Sequence, residues 1–436
     1  MIVLNILFLV NLIIGGIFVR KYILKKSSAL ACTIFLGAYS LILFYFISLK
    51  LPLGKIVIFF PLVFLPFIFL HFKIDFQIKK LWPKNVNVYT YLLSLLVIVI
   101  LFFGILHIMK EPIFERDGIG IWLTKAKMIY LDKTIYTENF LDPHRIHDHP
   151  RYPLFLPILE AAYFFTNGIN ERTVKIITVF IWFLILGVLF ETLYKKSSNM
   201  ALLSLILLSS IPAYYTMLDG SLDTGYADIP LSLFYLCTYI FLYNYFISGN
   251  KKFVIWAGLS LAFSIFTKNE GYAFAISVFL LLLFTKKKNI DIVLLLACLI
   301  IPLVPWFIVR THFIDLYAEH YLSHISEMPS HMFLIPIILK NAFFEIINFR
   351  HWGFFWLLAL FVFIYPKYKI HTVYLLFLTA MLLVFYLGIF LLTPWSVNLQ
   401  MKIVFPRMLL HISPSIVFLI FHHSLTSRPC ERHTVK

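Results

Sequence analysis

Charge is scarce in this 436-residue chain: Asp, Glu, Lys and Arg make up 13% of it, against 61% hydrophobic residues. The mean hydropathy is +0.89. So little polar surface cannot coat a soluble fold of this size, which excludes a soluble protein. Cysteine is equally sparse. Cys32, Cys237, Cys298 and Cys430 are scattered and the first three lie inside apolar blocks, so neither a disulfide framework nor a zinc spacing follows. A Gly-rich phosphate loop, an Asp-x-Asp pair in a soluble domain and a nucleotide-binding fold are also missing. No inverted internal repeat of the transporter kind is visible.

What is present is a succession of apolar blocks of about 15 to 22 residues, the length that spans a ~30 Å hydrocarbon core as helix. The sequence therefore predicts an all-α, polytopic transmembrane helical bundle. The segment 1–19 lacks a basic start and a small-residue cleavage site and reads as a retained helix. Three more blocks follow at 28–49, 56–72 and 89–109. Lys+Arg of 37 against Asp+Glu of 21 gives a net charge of +16, and these charges sit in loops, where orientation bias and anionic headgroups account for them. Placing Arg20, Lys21, Lys25 and Lys26, and then Lys73, Lys79, Lys80 and Lys84, on the cytoplasmic side sends the fourth helix outward. The long polar stretch 110–152 then lies on the outer face.

Beyond it, 153–166 reads as a juxtamembrane helix. Six blocks follow at 174–194, 200–218, 227–247, 253–267, 271–284 and 290–309, with lysine clusters at alternate ends. A second outer loop covers 310–331, and 332–349, interrupted by Lys340 and Glu345, is expected to lie flat in the interface. Spans at 352–365, 372–393 and 404–421 bring the total to about thirteen, ending in a basic cytoplasmic tail. The regions are thus 1–109, N-terminal transmembrane helices; 110–173, the first outer loop with juxtamembrane helices; 174–309, central helices; 310–351, the second outer loop and interfacial helix; and 352–436, C-terminal helices and tail.

Several residues have the chemistry of a site. Asp117, just past a helix end among basic and aromatic neighbours, is placed to deprotonate or orient a hydroxyl; the plainer reading is an interfacial charge that stops the helix. His144, His147, Asp148 and His149 are of metal-ligating type, but four such groups crowded into a loop more often meet solvent or headgroups, and a divalent metal is not favoured. Lys268 beside Glu270, between two apolar blocks, costs about 2.5–3.5 kcal/mol per charge to insert if deep, unless the ends snorkel to water. Arg407, between Pro406 and His411 in an apolar block, has no acid in its own helix and offers a planar fork for phosphate oxygens. Asp228 opens a helix, where capping explains it, although it and Tyr226 could line a site. Glu160 lies in an apolar piece, expected in protein or a cavity.

These residues together resemble the GT-C superfamily of integral membrane glycosyltransferases, specifically bacterial relatives of the protein O-mannosyltransferases and of the lipid A aminoarabinose transferase. Five stretches carry the resemblance in family order: the Asp117 loop with Ile121-Trp122 and Lys125-Ala126-Lys127; His149-Pro150-Arg151-Tyr152-Pro153-Leu154; Gly225 to Pro230; Thr267-Lys268-Asn269-Glu270-Gly271; and Arg407 to His411 before Pro414. They cover roughly 111–415. The resemblance implies an inverting hexosyl or pentosyl transfer from a polyprenyl-phosphate sugar to a glycan, lipid or protein acceptor, on the outer face of a bacterial inner membrane. It implies Asp117 as base or acceptor orienter, and Lys268 and Arg407, with Lys125 or Arg151, at the donor phosphate. His149, Tyr152, Asp228, Glu270 and His411 are implied to shape the pocket. No cofactor is assigned, a divalent metal stays open but is not favoured, and no nucleic acid is expected.

Two departures from those relatives stand out. Three helices precede the catalytic loop where one is usual, and the familiar acidic pair is Arg116-Asp117, which weighs against a two-carboxylate or metal-dependent mechanism. The rival readings are an O-antigen ligase or polymerase, which predicts a larger late outer loop, and a polyprenyl-linked glycan transporter, which predicts charges deep in several helices.

Overall fold

The computed structural model describes residues 2–24, 27–54, 58–66, 87–142, 144, 149–217, 219–285, 287–314, 321–364 and 369–426. Helix dominates them, as it must where backbone groups have no water to bond and each N–H needs a partner in its own segment. The main helices are α1 (Ile2–Val19), α2 (Ser28–Ser48), α3 (Val88–Met109), α4 (Thr124–Asp132), α5 (Phe155–Asn167), α6 (Ile176–Tyr194), α7 (Ser198–Ser209), α8 (Asp228–Ser248), α9 (Lys251–Thr267), α10 (Glu270–Phe284), α11 (Asn289–Ile300), α12 (Ile335–Ile346), α13 (Phe355–Ile364), α14 (Ile370–Gly388) and α15 (Val397–Thr426).

Nine helices among the described residues are long and apolar enough to cross a membrane. The all-α bundle is as expected; the count of about thirteen is not reached among them. The expected span at 56–72 is described only over 58–66. α9 and α10, at 17 and 15 residues, fall short of that length because Lys268 and Asn269 break one apolar run into two. α13 has 10 residues. The basic clusters at Lys73 to Lys84 and in the tail beyond 426 lie outside the described residues.

Local signals set the helix starts. Ser27, Asn87, Ser197 and Asn250 each accept a hydrogen bond from a first-turn N–H, of Leu30, Thr90, Met200 and Lys252 respectively. Gly249, at φ +65°, closes α8 in the left-handed conformation that suits glycine.

Burial sorts the spans. The most apolar stretch of α3 has 22% of its residues buried, and its Phe102, Phe103 and Leu95 face outward; α8 and the span on α15 have 83% buried. α3 is therefore a lipid-facing helix, whereas α8 and α15 form the axis of the bundle, with α8 packed against α9, α6 and α14 and α15 against α8, α7 and α12. α5, the juxtamembrane helix, is almost wholly buried and lies against α4 and α2. It encloses Glu160, whose carboxyl burial pushes well above its ordinary pKa. The two most buried membrane helices are the ones that carry Asp228 and Arg407.

Candidate active site

The site is built from the ends of three helices, α8, α9 and α10, and from the interior of α15. Asp228 is the first residue of α8 and is completely buried. Its side chain does not cap the helix; instead its oxygens serve side chains from two other elements. Lys268 Nζ donates to Oδ1 at 2.9 Å and His411 Nε2 donates to the same oxygen at 2.7 Å. The Arg407 guanidinium spans the carboxylate, Nε to Oδ1 at 3.4 Å and Nη2 to Oδ2 at 3.3 Å. The capping role expected for Asp228 therefore gives way to a buried hub, because three donors arriving from α15 and the α9–α10 break outweigh what one helix start supplies.

Lys268 sits where α9 ends, in extended backbone, and donates a second bond to Glu270 Oε1 at 2.7 Å. On the other side of the ring, His411 Nδ1 lies 3.2 Å from the Tyr386 hydroxyl. Tyr386 lies 3.0 Å from the Tyr235 hydroxyl, which donates to the Glu270 carbonyl oxygen at 2.9 Å. Two cations thus face two carboxylates inside the bundle, with the polar atoms around them paired. Such a balanced cluster is tolerated where a single charge would not be.

The loop before α8 covers this cluster. Tyr226 lays its ring over the Arg407 guanidinium, 4.6 Å from its centroid, and donates its hydroxyl to Asp219 Oδ1 at 2.6 Å. Burial, followed by that bond to Asp219, raises the Tyr226 phenol above its ordinary value, so it stays a donor. Gly220 has φ +83°, and a Cβ there would stand 3.0 Å from Arg407 Cγ and 3.2 Å from Asp228 Cγ. Only glycine permits this turn so close to the pair.

Asp117 approaches from the first outer loop. It precedes a single π-helical turn, Gly118–Leu123, a distortion frequent at functional sites. Gly118 is pressed against the loop before α8: a Cβ there would fall 2.1 Å from the Thr224 carbonyl oxygen. That contact brings Asp117 within electrostatic range of Arg407, Asp219 and His149. The Asp117 side chain is half-buried and makes no hydrogen bond among the described residues. Burial raises its pKa, opposed chiefly by the Arg407 cation and reinforced by Asp219. Glu115, raised by burial and by the charges of Asp219, Asp223 and Asp117, belongs to the same acidic neighbourhood.

The remaining expected residues do not join the Asp228 cluster. Lys125 is buried and donates to the His149 carbonyl oxygen at 2.6 Å, and its ammonium lies 5.8 Å from the Tyr152 ring centroid. Arg151 donates from Nε to the Phe313 carbonyl oxygen at 2.8 Å. His149, in left-handed backbone at φ +53°, stacks on Tyr152 at 5.0 Å, and Tyr152 lies 6.0 Å from Trp122. These residues form a second wall, from which the field of His149 reaches Asp117. Of the histidine-rich metal candidates, His147 and Asp148 lie outside the described residues, and His144 pairs with Asp142 at 3.2 Å. Among the described residues no group of three or more metal-ligating side chains converges.

An open cavity of about 510 Å³ adjoins the cluster, lined by Asp219, Arg350, His351, Lys402 and Pro406 among others. Glu345 anchors one wall, accepting from Trp352 Nε1 at 2.8 Å and meeting His351 Nδ1 at 2.7 Å. Sequence reasoning passed over Arg350, His351 and Lys402 because nothing in their local context separates them from ordinary interfacial cations. It likewise assigned no role to Tyr235 and Tyr386, which look like lipid-facing aromatics in an apolar run. For Tyr226 the adjacency to Asp228 was the available signal.

Comparisons with known proteins add one match. A family model described as dolichyl-phosphate-mannose-protein mannosyltransferase matches residues 148–308, a segment that contains Asp228, Lys268 and Glu270 but neither Asp117 nor Arg407. No curated protein and no solved structure matches the chain. The resemblance drawn from the motifs therefore holds across the central helices, and the chain is an integral membrane protein whose family match supports a glycosyltransferase of the GT-C type.

Proposed function

We propose that this chain transfers a sugar from a polyprenyl-phosphate donor to an acceptor hydroxyl at the outer face of a bacterial inner membrane. The supporting observation is the meeting of a half-buried carboxylate from the first outer loop, Asp117, with the Arg407 guanidinium from the last helix, beside an open cavity.

In this reading the acceptor oxygen attacks the anomeric carbon from the side opposite the phosphate, a new C–O bond forms, and the bond from that carbon to the phosphate oxygen breaks. The hydroxyl proton passes to Asp117. The electron pair leaves with polyprenyl phosphate, and the configuration at the carbon inverts. Asp117 suits the role because its raised pKa gives it more proton affinity than an ordinary aspartate. Negative charge develops on the departing phosphate, where preorganised cations act best. Arg407 is held in place by Asp228 and Tyr226, with its positive charge largely balanced. Arg350 and Lys402, which line the cavity, supply the further positive charge a phosphate needs. Lys268, His411 and Glu270 act as positioning residues by fixing the carboxylate that fixes Arg407. Lys125 and Arg151, tied to backbone carbonyls, shape the wall that carries His149 and Tyr152.

The test uses the full chain in reconstituted membranes. Native mass spectrometry is expected to find a polyprenyl-phosphate sugar bound to the purified protein and to its Asp117→Asn variant, and to find it depleted in Arg407→Ala. Transfer is expected from the wild type alone. Sugar transfer surviving in Asp117→Asn would remove the base from this mechanism.

A further inference from the structure

A second cavity, of about 560 Å³, opens at the outer start of α15 and is lined by His324, Glu327, His331, Trp395, Ser396 and Asn398 together with apolar side chains such as Ile337. Its size falls in the ~300–1,000 Å³ range of small-molecule sites. We infer that this cavity is an acceptor subsite for the ring of a saccharide, so that the acceptor of the reaction is a glycan. This rests on the sugar-transfer reading above and narrows it.

The chemistry of the lining argues for a sugar. A pyranose has a flat face of C–H bonds and a rim of hydroxyls, and it is recognised by an aromatic plane beside fixed donors and acceptors. Trp395 supplies the plane. It is 56% exposed although it is a tryptophan, and its backbone is set by Pro394 before it and by its main-chain N–H donating to Thr393 Oγ1 at 3.3 Å. The polar groups are oriented from behind. Asn341 Nδ2 donates to Asn398 Oδ1 at 2.8 Å, which leaves the Asn398 amide hydrogens to donate into the cavity. The Leu391 carbonyl oxygen can only accept, so His331 Nδ1 donates to it at 2.8 Å, which fixes the ring with its Nε2 edge turned away from that bond. Glu327 has one carboxylate oxygen on His324, 3.1 Å away, and the other without a partner among the described residues. A donor amide, an imidazole edge and a carboxylate thus surround an indole face. No cation is committed to an anionic ligand here, in contrast to the cavity beside Arg407.

The position suits an acceptor. Asn398, Lys402 and Pro406 recur at four-residue spacing and so share one face of α15. The first lines this cavity and the other two line the cavity beside Arg407. Asn398 and Arg407 are nine residues apart in sequence, about 14 Å along the helix axis. A glycan chain held at Trp395 therefore lies along α15 with its end directed at Asp117 and Arg407.

The experiment is saturation-transfer NMR on the full chain in lipid nanodiscs. The probes are the methyl glycosides, and the corresponding disaccharides, of neutral hexoses, N-acetylhexosamines and 6-deoxyhexoses. At least one probe is expected to bind with millimolar affinity or better, receiving saturation mainly on its C–H face. Trp395→Ala is expected to weaken that binding about tenfold or more, and Trp395→Phe to retain most of it. Asn398→Ala is expected to weaken it less. Because Trp395 is exposed, its variants should fold, which retention of the co-purified lipid checks independently. The inference is overturned if no probe binds the wild type, or if Trp395→Ala binds as the wild type does; in either case Trp395 is only an interfacial anchor. Glycan binding without any retained polyprenyl-phosphate lipid would leave the cavity assignment standing and remove the transfer reading. Retained lipid without glycan binding would do the reverse.

Discussion

Asp228 and Asp117 answer to the same guanidinium yet sit in opposite surroundings. Asp228 is completely buried and accepts hydrogen bonds from Lys268, Arg407 and His411. Asp117 is half-buried, feels Arg407 only through space, and has its pKa raised by burial. On the proposed reading, the difference separates holding from reacting. A carboxylate saturated by cationic donors has little left to offer a substrate proton, but it fixes those donors where a phosphate can find them. A carboxylate left partly desolvated, with no hydrogen-bond partner among the described residues, keeps its affinity for a proton.

The comparison breaks most decisively at Asp228. Asp228→Asn leaves Lys268 and Arg407 buried with one carboxylate fewer, and removing one member of a buried ion pair typically costs about 3–5 kcal/mol. Thermal unfolding in nanodiscs should therefore shift strongly downward, with loss of monodisperse protein. Unchanged stability would mean the cations have another partner and the hub is misread.

Asp117→Asn should behave in the opposite way. Loss of a general base typically costs about 10²- to 10⁴-fold in rate, measured as initial transfer velocity, whereas stability is expected to hold or rise slightly. The sign follows from linkage. A carboxyl with a raised folded pKa binds its proton more tightly folded than unfolded, so it favours folding below its unfolded pKa. That advantage is lost as pH rises through the folded pKa. Where Asp117 is ionised it therefore carries a desolvation cost that asparagine removes. A drop in stability as large as that of Asp228→Asn would erase the distinction between the two carboxylates.

The pH profile sharpens the contrast without mutation. The acid limb of kcat/KM should fall at a pH above 3.8, the ordinary aspartate value, because burial outweighs Arg407 at Asp117. An acid limb at or below the ordinary value would assign the base to another group.

The smallest effect is expected at the cover of the site. Tyr226→Phe keeps the ring over Arg407 and loses only the hydrogen bond to Asp219, worth about 1 kcal/mol. Donor retention should change little in Tyr226→Phe and fall further in Tyr226→Ala, which also removes the ring from the cation.

How far the sequence can be read depends on what each property requires. The helical membrane class follows from composition and block length, because hydrocarbon admits few other folds and hydropathy is a sum over local residues. Lys268 and Arg407 stand out for the same reason: a charge in an apolar run is costly wherever that run is placed. Asp228 is less legible. Next to a helix start its local explanation, capping, is sufficient, and nothing nearby announces a partner forty residues on at Lys268 and another near the C-terminus at Arg407. The role of Lys125 is also invisible in its motif, because the group it meets is a backbone carbonyl.

The sequence by itself determined the solvent of this protein, the material of its scaffold and which charges had to be explained. Tertiary structure alone decided which of them meet. Pairing depends on the lateral order of helices in the bundle, and that order is set by packing between surfaces distant in the chain. Periodicity and loop charge carry no record of it.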